Sequence, residues 1–86
     1  MNSTFGKRLK QLRLERDITQ MELGKAVNVA YQSISYYENT GGVPKDVNII
    51  NNIAQYFDVD IDYLLGNQEE RRKVNYDMNS IRREPY

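Results

Sequence analysis

Apolar residues return along this chain every three to four positions, the period of a helix buried on one side. Phe5, Leu9 and Leu12 share one helical face, and their spacing predicts a first helix over residues 4–16, capped by Ser3 or Thr4. A second helix is predicted over residues 19–27. Thr19 followed three residues on by Glu22 has the pattern of a capping box, and Leu23 and Val27 form the buried face. Gly24 lies between them, where glycine costs about 1 kcal/mol relative to alanine; its presence implies a close neighbour. Asn28 tolerates the left-handed backbone of a tight turn. Val29 restarts the apolar pattern, and residues 30–38 read as a third helix with Ala30, Ile34 and Tyr37 inward. Two short helices joined by so brief a turn must cross steeply.

Residues 40–45 form a loop with two glycines and a proline. Asp46 can cap a fourth helix reaching about Phe57, with Val47, Ile50, Ile53, Ala54 and Phe57 inward. Asp58 and Val59 break the pattern. Asp60 can then cap a short fifth helix, with Ile61, Leu64 and Leu65 inward and Gly66 ending it. Strand alternation and internal repeats are missing from the sequence. The expectation is an all-α, compact five-helix domain in residues 1–66, followed by a charged tail in residues 67–86. Val74, Met78 and Ile81 allow a sixth amphipathic helix in that tail; disorder suits its composition equally well.

A length of 86 residues fits one domain with a modest core. The absence of cysteine excludes disulfides and thiolate metal sites, and the absence of histidine removes the commonest general base and metal ligand. With no phosphate-binding loop or metal-ligand cluster either, no enzymatic activity and no cofactor are expected. The start, MNSTFGKRLK, has no apolar run after its charges, and no stretch approaches a membrane span; a cytoplasmic protein without membrane contact is expected. Net charge is zero, which alone argues against a nucleic-acid partner. The distribution changes that picture. Residues 1–16 carry Lys7, Arg8, Lys10, Arg13 and Arg16 against Glu15, a net +4, whereas residues 40–66 carry Lys45 against Asp46, Asp58, Asp60 and Asp62, a net −3. A basic end on a neutral protein suffices to meet DNA.

Residues 20–39 resemble the helix-turn-helix of the phage Cro and repressor family, also called the xenobiotic-response-element family. The resemblance is carried by Thr19-Gln20, Glu22-Leu23, Gly24, Val27, Val29, Gln32-Ser33-Ile34 and Tyr37-Glu38-Asn39. It continues in Arg8-Leu9-Lys10-Gln11-Leu12-Arg13 before the motif, and in Val59 and Asp62-Tyr63-Leu64-Leu65-Gly66 after it. It implies a lambda-repressor-like fold, an ion pair between Arg13 and Glu38, phosphate contacts from Gln20 and Asn39, and a dimer formed around helix five through Ile61, Tyr63 and Leu65. The bland alternative for those three is closure of the monomer's own core. Asn28 replaces the family's usual turn glycine. The loop Thr40-Gly41-Gly42-Val43 lacks the basic residues often found there, which predicts modest affinity.

A recognition helix lies in the major groove and reads with its N-terminal part. With Ala30, Ile34 and Tyr37 inward, Gln32 points away from the core, flanked by Ser35 and Tyr36, with Tyr31 at the edge. These four are the expected base contacts. Gln32 is suited to bond adenine N6 and N7 together, and the two tyrosines to touch a thymine methyl or donate a hydroxyl. Ser33, Lys45, Lys7, Arg8 and Lys10 complete the expected phosphate contacts; for Lys7, Arg8 and Lys10 a solvated face is an equally good reading. The functional expectation is a sequence-specific regulator, a repressor binding a palindromic, double-stranded operator as a homodimer. The alternative is a protein-interaction regulator whose tail binds a partner such as a toxin or an antirepressor.

Overall fold

Five helices account for most of residues 4–73, the part of the chain that the computed structural model describes. They are α1 (Thr4–Glu15), α2 (Gln20–Val27), α3 (Tyr31–Thr40), α4 (Val47–Phe57) and α5 (Ile61–Leu65). No strand occurs among the described residues, and no helix there is long and apolar enough to cross a membrane. The sixth helix suggested by Val74, Met78 and Ile81 falls outside the described residues.

The apolar periodicities converge on one core. Phe5, Leu9 and Leu12 of α1, Leu23 and Val27 of α2, Ile34 and Tyr37 of α3, Ile53, Ala54 and Phe57 of α4, Val59, and Tyr63 and Leu64 of α5 all meet there. The Phe5 and Tyr37 rings pack edge to face, 5.7 Å between centroids. At the far end of α1, the Arg16 guanidinium lies 4.9 Å from the Tyr56 ring and 5.1 Å from that of Phe57, closing the turn after α1 against α4.

Short polar residues stop the helices. Thr19 and Glu22 form the capping box at α2, the Thr19 hydroxyl accepting from the Glu22 amide at 3.0 Å and the Glu22 carboxylate from the Thr19 amide at 2.8 Å. Asn28 ends α2 in the left-handed region at φ 62°, and Asp17 and Asp58 adopt the same conformation at φ 57° after α1 and α4. Asn and Asp are the non-glycine residues that enter this region most readily. Gly24 meets its close neighbour in the turn itself. A Cβ there would lie 2.5 Å from the Val29 carbonyl oxygen and 3.3 Å from the Tyr31 amide nitrogen, so only glycine lets α3 start so near α2.

Three inward assignments and one cap differ from the expectation. Ala30 is the N-cap of α3, in extended backbone at φ −60°, ψ 141°, and is exposed. Helical phase does not reach a residue outside the helix, so α3 runs from 31 to 40 instead of 30 to 38. Val47 is 63% exposed because it is the first residue of α4, ahead of the turn that reaches the core at Ile50; Pro44 in the loop is buried instead. Leu65 is 36% exposed, since in a helix of five residues Tyr63 and Leu64 fill the inward face. Asp60 precedes α5 but makes no side-chain cap. Its carboxylate accepts from the Gln68 side chain at 2.8 Å and from the Lys73 amide.

That last contact belongs to a segment the composition assigned to a tail. Residues 67–73 fold back on the domain. The Asp60 amide donates to the Arg71 carbonyl at 2.7 Å, Arg71 pairs with Glu15 of α1 at 2.6 Å, and Arg72 lies 3.4 Å from Asp58. The ordered unit therefore extends past residue 66.

Candidate nucleic-acid interface

A helix can read DNA only if its outer face is free and its inner face is fixed. Ile34, Tyr37 and Glu38 are the buried residues of α3. Glu38 is the fixing point. Its side chain is 1% exposed and takes two hydrogen bonds from Arg13 of α1, from Nε at 2.8 Å and from Nη2 at 2.9 Å. The remaining Arg13 nitrogen, Nη1, donates to the Ile18 carbonyl at 2.9 Å. Bidentate pairing of this kind fixes orientation as well as charge. The hydrogen bonding to Glu38 makes the Arg13 guanidinium harder to deprotonate, against the opposing effect of burial. A third element joins the knot: Gln20, at the start of α2, donates its side-chain amide to Glu38 Oε1 at 3.1 Å. One carboxylate thus ties α1, α2 and α3 together.

The outer face of α3 carries Tyr31 (44% exposed), Gln32, and Tyr36 (56% exposed), with Ser35 half-buried beside them. Gln32 is exposed, and the four lie on adjacent turns. Ala30 gives α3 no side-chain cap, and the first amides of a helix are a favourable place for an anion. Ser33 is half-buried near that end. Asn39 is exposed at the other end, its amide donating to the Ser35 hydroxyl at 3.0 Å. An amide nitrogen carries two hydrogens, so Gln20 and Asn39 each keep one after these internal bonds.

Lys7, Lys10 and Lys45 are exposed. Lys7 and Lys10 line an open groove along α1, with Gln11, Leu14 and Glu15, that reaches Glu38. Arg8 is placed differently from the expected phosphate contact. Its guanidinium lies 4.1 Å over the Tyr63 ring and donates to the carbonyls of Tyr63 and Gln68. The Tyr63 carbonyl also accepts from the Gly66 amide at 3.2 Å, so Arg8 ties the end of α5 to the segment that follows it. Tyr63, expected at a dimer contact, is 6% exposed beneath Arg8 and closes the monomer core. Of the other two expected dimer residues, Ile61 is half-buried against the core and Leu65 is exposed. No cluster able to hold a metal ion occurs among the described residues.

Sequence reasoning missed two features of this surface. One is the fold-back of residues 67–73, whose charges look like those of any solvated segment. The other is the loop after α3, where Gly42 touches the Tyr36 ring; the doubled glycine was its only signal.

A helix-turn-helix family model matches residues 9–64, spanning α2, the turn and α3 with their supporting helices. The chain belongs to the helix-turn-helix family. Within it, the chain has the fold of Cro/C1-type DNA-binding domains. It is 32% identical over 75 residues to the transcriptional regulator ImmR of Bacillus subtilis, covering 87% of this chain and 58% of that protein. The chain thus spans little more than half the length of that relative. Among solved structures it is similar to the P22 c2 repressor, determined in complex with a synthetic operator, at 28% identity and a TM-score of 0.68, over 74% of this chain and 96% of that one. It is also similar to the N-terminal DNA-binding domain of SinR from Bacillus subtilis, at 26% identity and a TM-score of 0.67, over 77% of this chain and 96% of that one.

Proposed function

We propose that this chain is a cytoplasmic, sequence-specific repressor that binds a palindromic operator in double-stranded DNA as a homodimer. The observation that carries the reading is the pairing of a free outer face on α3 with an inner face locked by Arg13 and Glu38. A rigid helix presenting Gln32 between two tyrosines suits the major groove, where sequence is read from base edges. Gln32 pairs with an adenine edge, while Tyr31, Ser35 and Tyr36 make flanking base contacts. Gln20, Ser33, Asn39, Lys7, Lys10 and Lys45 bond phosphates and set the register. Ile61 and Leu65 are the dimer contacts that remain once Tyr63 is assigned to the core. The P22 c2 repressor, with which this fold is shared, is itself bound to an operator.

The test is a titration of the purified protein against fluorescent duplexes from the region around its own gene, with a scrambled duplex as control. Tight binding to one region, protected as a symmetric pair of half-sites, is the expected result. Equal, weak binding to both duplexes sinks the reading.

A further inference from the structure

We propose that Gly42 is a specificity-determining residue that acts through Tyr36: lacking a side chain, it seats the Tyr36 ring and fixes where that ring meets DNA. The proposal rests on α3 being the DNA-reading helix. It begins with a contrast between two adjacent glycines. Gly41 ends α3 in the left-handed region, at φ 86°, where glycine is needed for the backbone. Gly42 does not lie in that region; Gly41 and Gly66 are the glycines that do among the described residues. The backbone at 42 therefore accepts any residue. Space does not. A Cβ at Gly42 would lie 2.1 Å from Tyr36 Cε2, 2.8 Å from Cζ and 2.9 Å from Cδ2. The ring occupies the place where a side chain would be.

Other contacts hold the loop in position beneath the ring. The Thr40 hydroxyl donates to the Tyr36 carbonyl at 2.6 Å and accepts from the Gly42 amide at 3.3 Å, tying the loop back to the turn that carries Tyr36. On another side, the Tyr36 ring meets the buried Tyr37 ring edge to face, 6.0 Å between centroids. The ring is thus bracketed by Gly42 and Tyr37 while 56% of the residue stays exposed. An exposed side chain ordinarily exchanges rotamers within nanoseconds, and ordering it on binding costs free energy. A seated ring is ordered beforehand and offers its hydroxyl and edge at one place on the groove.

The consequence of a methyl group at 42 differs from that at the other tight glycines. At Gly6 and Gly24 an added Cβ strikes backbone, at 2.1 Å from the Tyr37 oxygen and 2.5 Å from the Val29 oxygen, so the fold must shift. At Gly42 it strikes the free end of a side chain. The ring yields and the fold remains.

The experiment selects operators from a randomised duplex pool with four proteins: the unaltered chain, Gly42→Ala, Tyr36→Ala and the double variant. Thermal melting accompanies each selection. Tyr36→Ala is expected to relax base preference at one or two positions of the half-site, by about fivefold each. Gly42→Ala is expected to relax the same positions and to melt close to the unaltered chain, and the double variant to match Tyr36→Ala alone. The Gly42 α-proton resonances, shifted by the ring above them, should move in Tyr36→Ala without any DNA present. Relaxed positions in Tyr36→Ala but an unaltered profile in Gly42→Ala overturn the seat and leave the base contact standing. Additive losses in the double variant overturn it too, since independent effects mean that Gly42 does not act through the ring. An unaltered profile in Tyr36→Ala removes the base contact itself, and no selected motif at all removes the regulator reading; the seat falls with either.

Discussion

Glu38 shows how one side chain can carry both stability and function. Its carboxylate accepts from Arg13 twice and from Gln20 once, almost wholly out of water. Replacing it with alanine leaves the Arg13 guanidinium in a poorly hydrated site without a counter-charge. Removing one partner of a buried pair typically costs about 3–5 kcal/mol; Arg13 keeps the Ile18 carbonyl and slight exposure, so Glu38→Ala is expected near 3 kcal/mol, read as a fall in the urea midpoint. Base preference should stay the same in the fraction that remains folded. An unchanged midpoint would deny the pair its structural role. Gln32 makes the opposite case. It is exposed and forms no part of the core, so Gln32→Ala should leave the melting curve in place. If its amide reads an adenine, operator affinity falls by roughly 1–3 kcal/mol while binding to scrambled DNA hardly moves. Equal losses on both duplexes would reduce Gln32 to a general contact.

At the scale of elements, legibility followed the length of the periodic signal. In α1 and α4 the inward residues recur over about two turns or more, in α2 over a single turn fixed by the capping box at its start, and the expected cores of α1 and α2 are the observed ones. Elsewhere the signal weakened where it had only one turn to act. Val47 and Ala30 sit at helix starts, where the chain still turns, and Leu65 sits in a helix too short to average out its phase. Asn28 was readable as a left-handed turn, whereas Asp17 and Asp58 adopt the same conformation without a distinguishing neighbour. The segment at 67–73 was unreadable because polar contacts across 50 or more residues leave no local pattern; Arg71 reaches Glu15 and Arg8 reaches Gln68. Those contacts give a testable pH dependence. The hydrogen bond from Arg71 holds the Glu15 carboxyl below its ordinary value, and those from Gln68 and the Lys73 amide do the same for Asp60. Both groups bind protons more readily in a detached segment than in the folded one. Their stabilisation is therefore complete above the ordinary carboxylate range near pH 4 and is lost as pH falls through the lowered folded values. Amide exchange at residues 60 and 73 is expected to speed up as pH drops from about 5 to 3, relative to the intrinsic rate, before the core amides of α1 respond. Simultaneous loss in both places would show that the segment is no separate latch.

The whole molecule must present charge to DNA although its net charge is zero. The +4 of residues 1–16 overstates what is available, because Arg8 lies over Tyr63, Arg13 is bonded to Glu38 and Arg16 stacks on Tyr56 and Phe57. Lys7, Lys10 and Lys45 are the exposed cations of the proposed phosphate set. Three cations per protomer, six in a dimer, give a slope of log affinity against log salt near −5, at roughly 0.9 per phosphate neutralised. Lys7→Gln with Lys10→Gln should flatten that slope to about −2 and weaken all duplexes alike; an unaltered slope would place these lysines away from the DNA. With so few cations the proposed dimer would matter, since a half-site alone would offer little affinity. Leu65 is the exposed apolar residue next to Ile61 and the core residues Tyr63 and Leu64, and it tests that dimer directly. Leu65→Asp adds a charge to a surface already holding Asp60 and Asp62, so two copies would face each other with like charges. The variant should fold, because Leu65 is outside the core, and should sediment as a monomer at concentrations where the unaltered chain is dimeric. Its binding to a palindromic operator should fall by tenfold or more, while its binding to a single half-site stays the same. If both proteins sediment alike and bind the palindrome alike, the two-fold axis passes elsewhere, and Ile61 and Leu65 lose their assigned role without any change to the reading of α3.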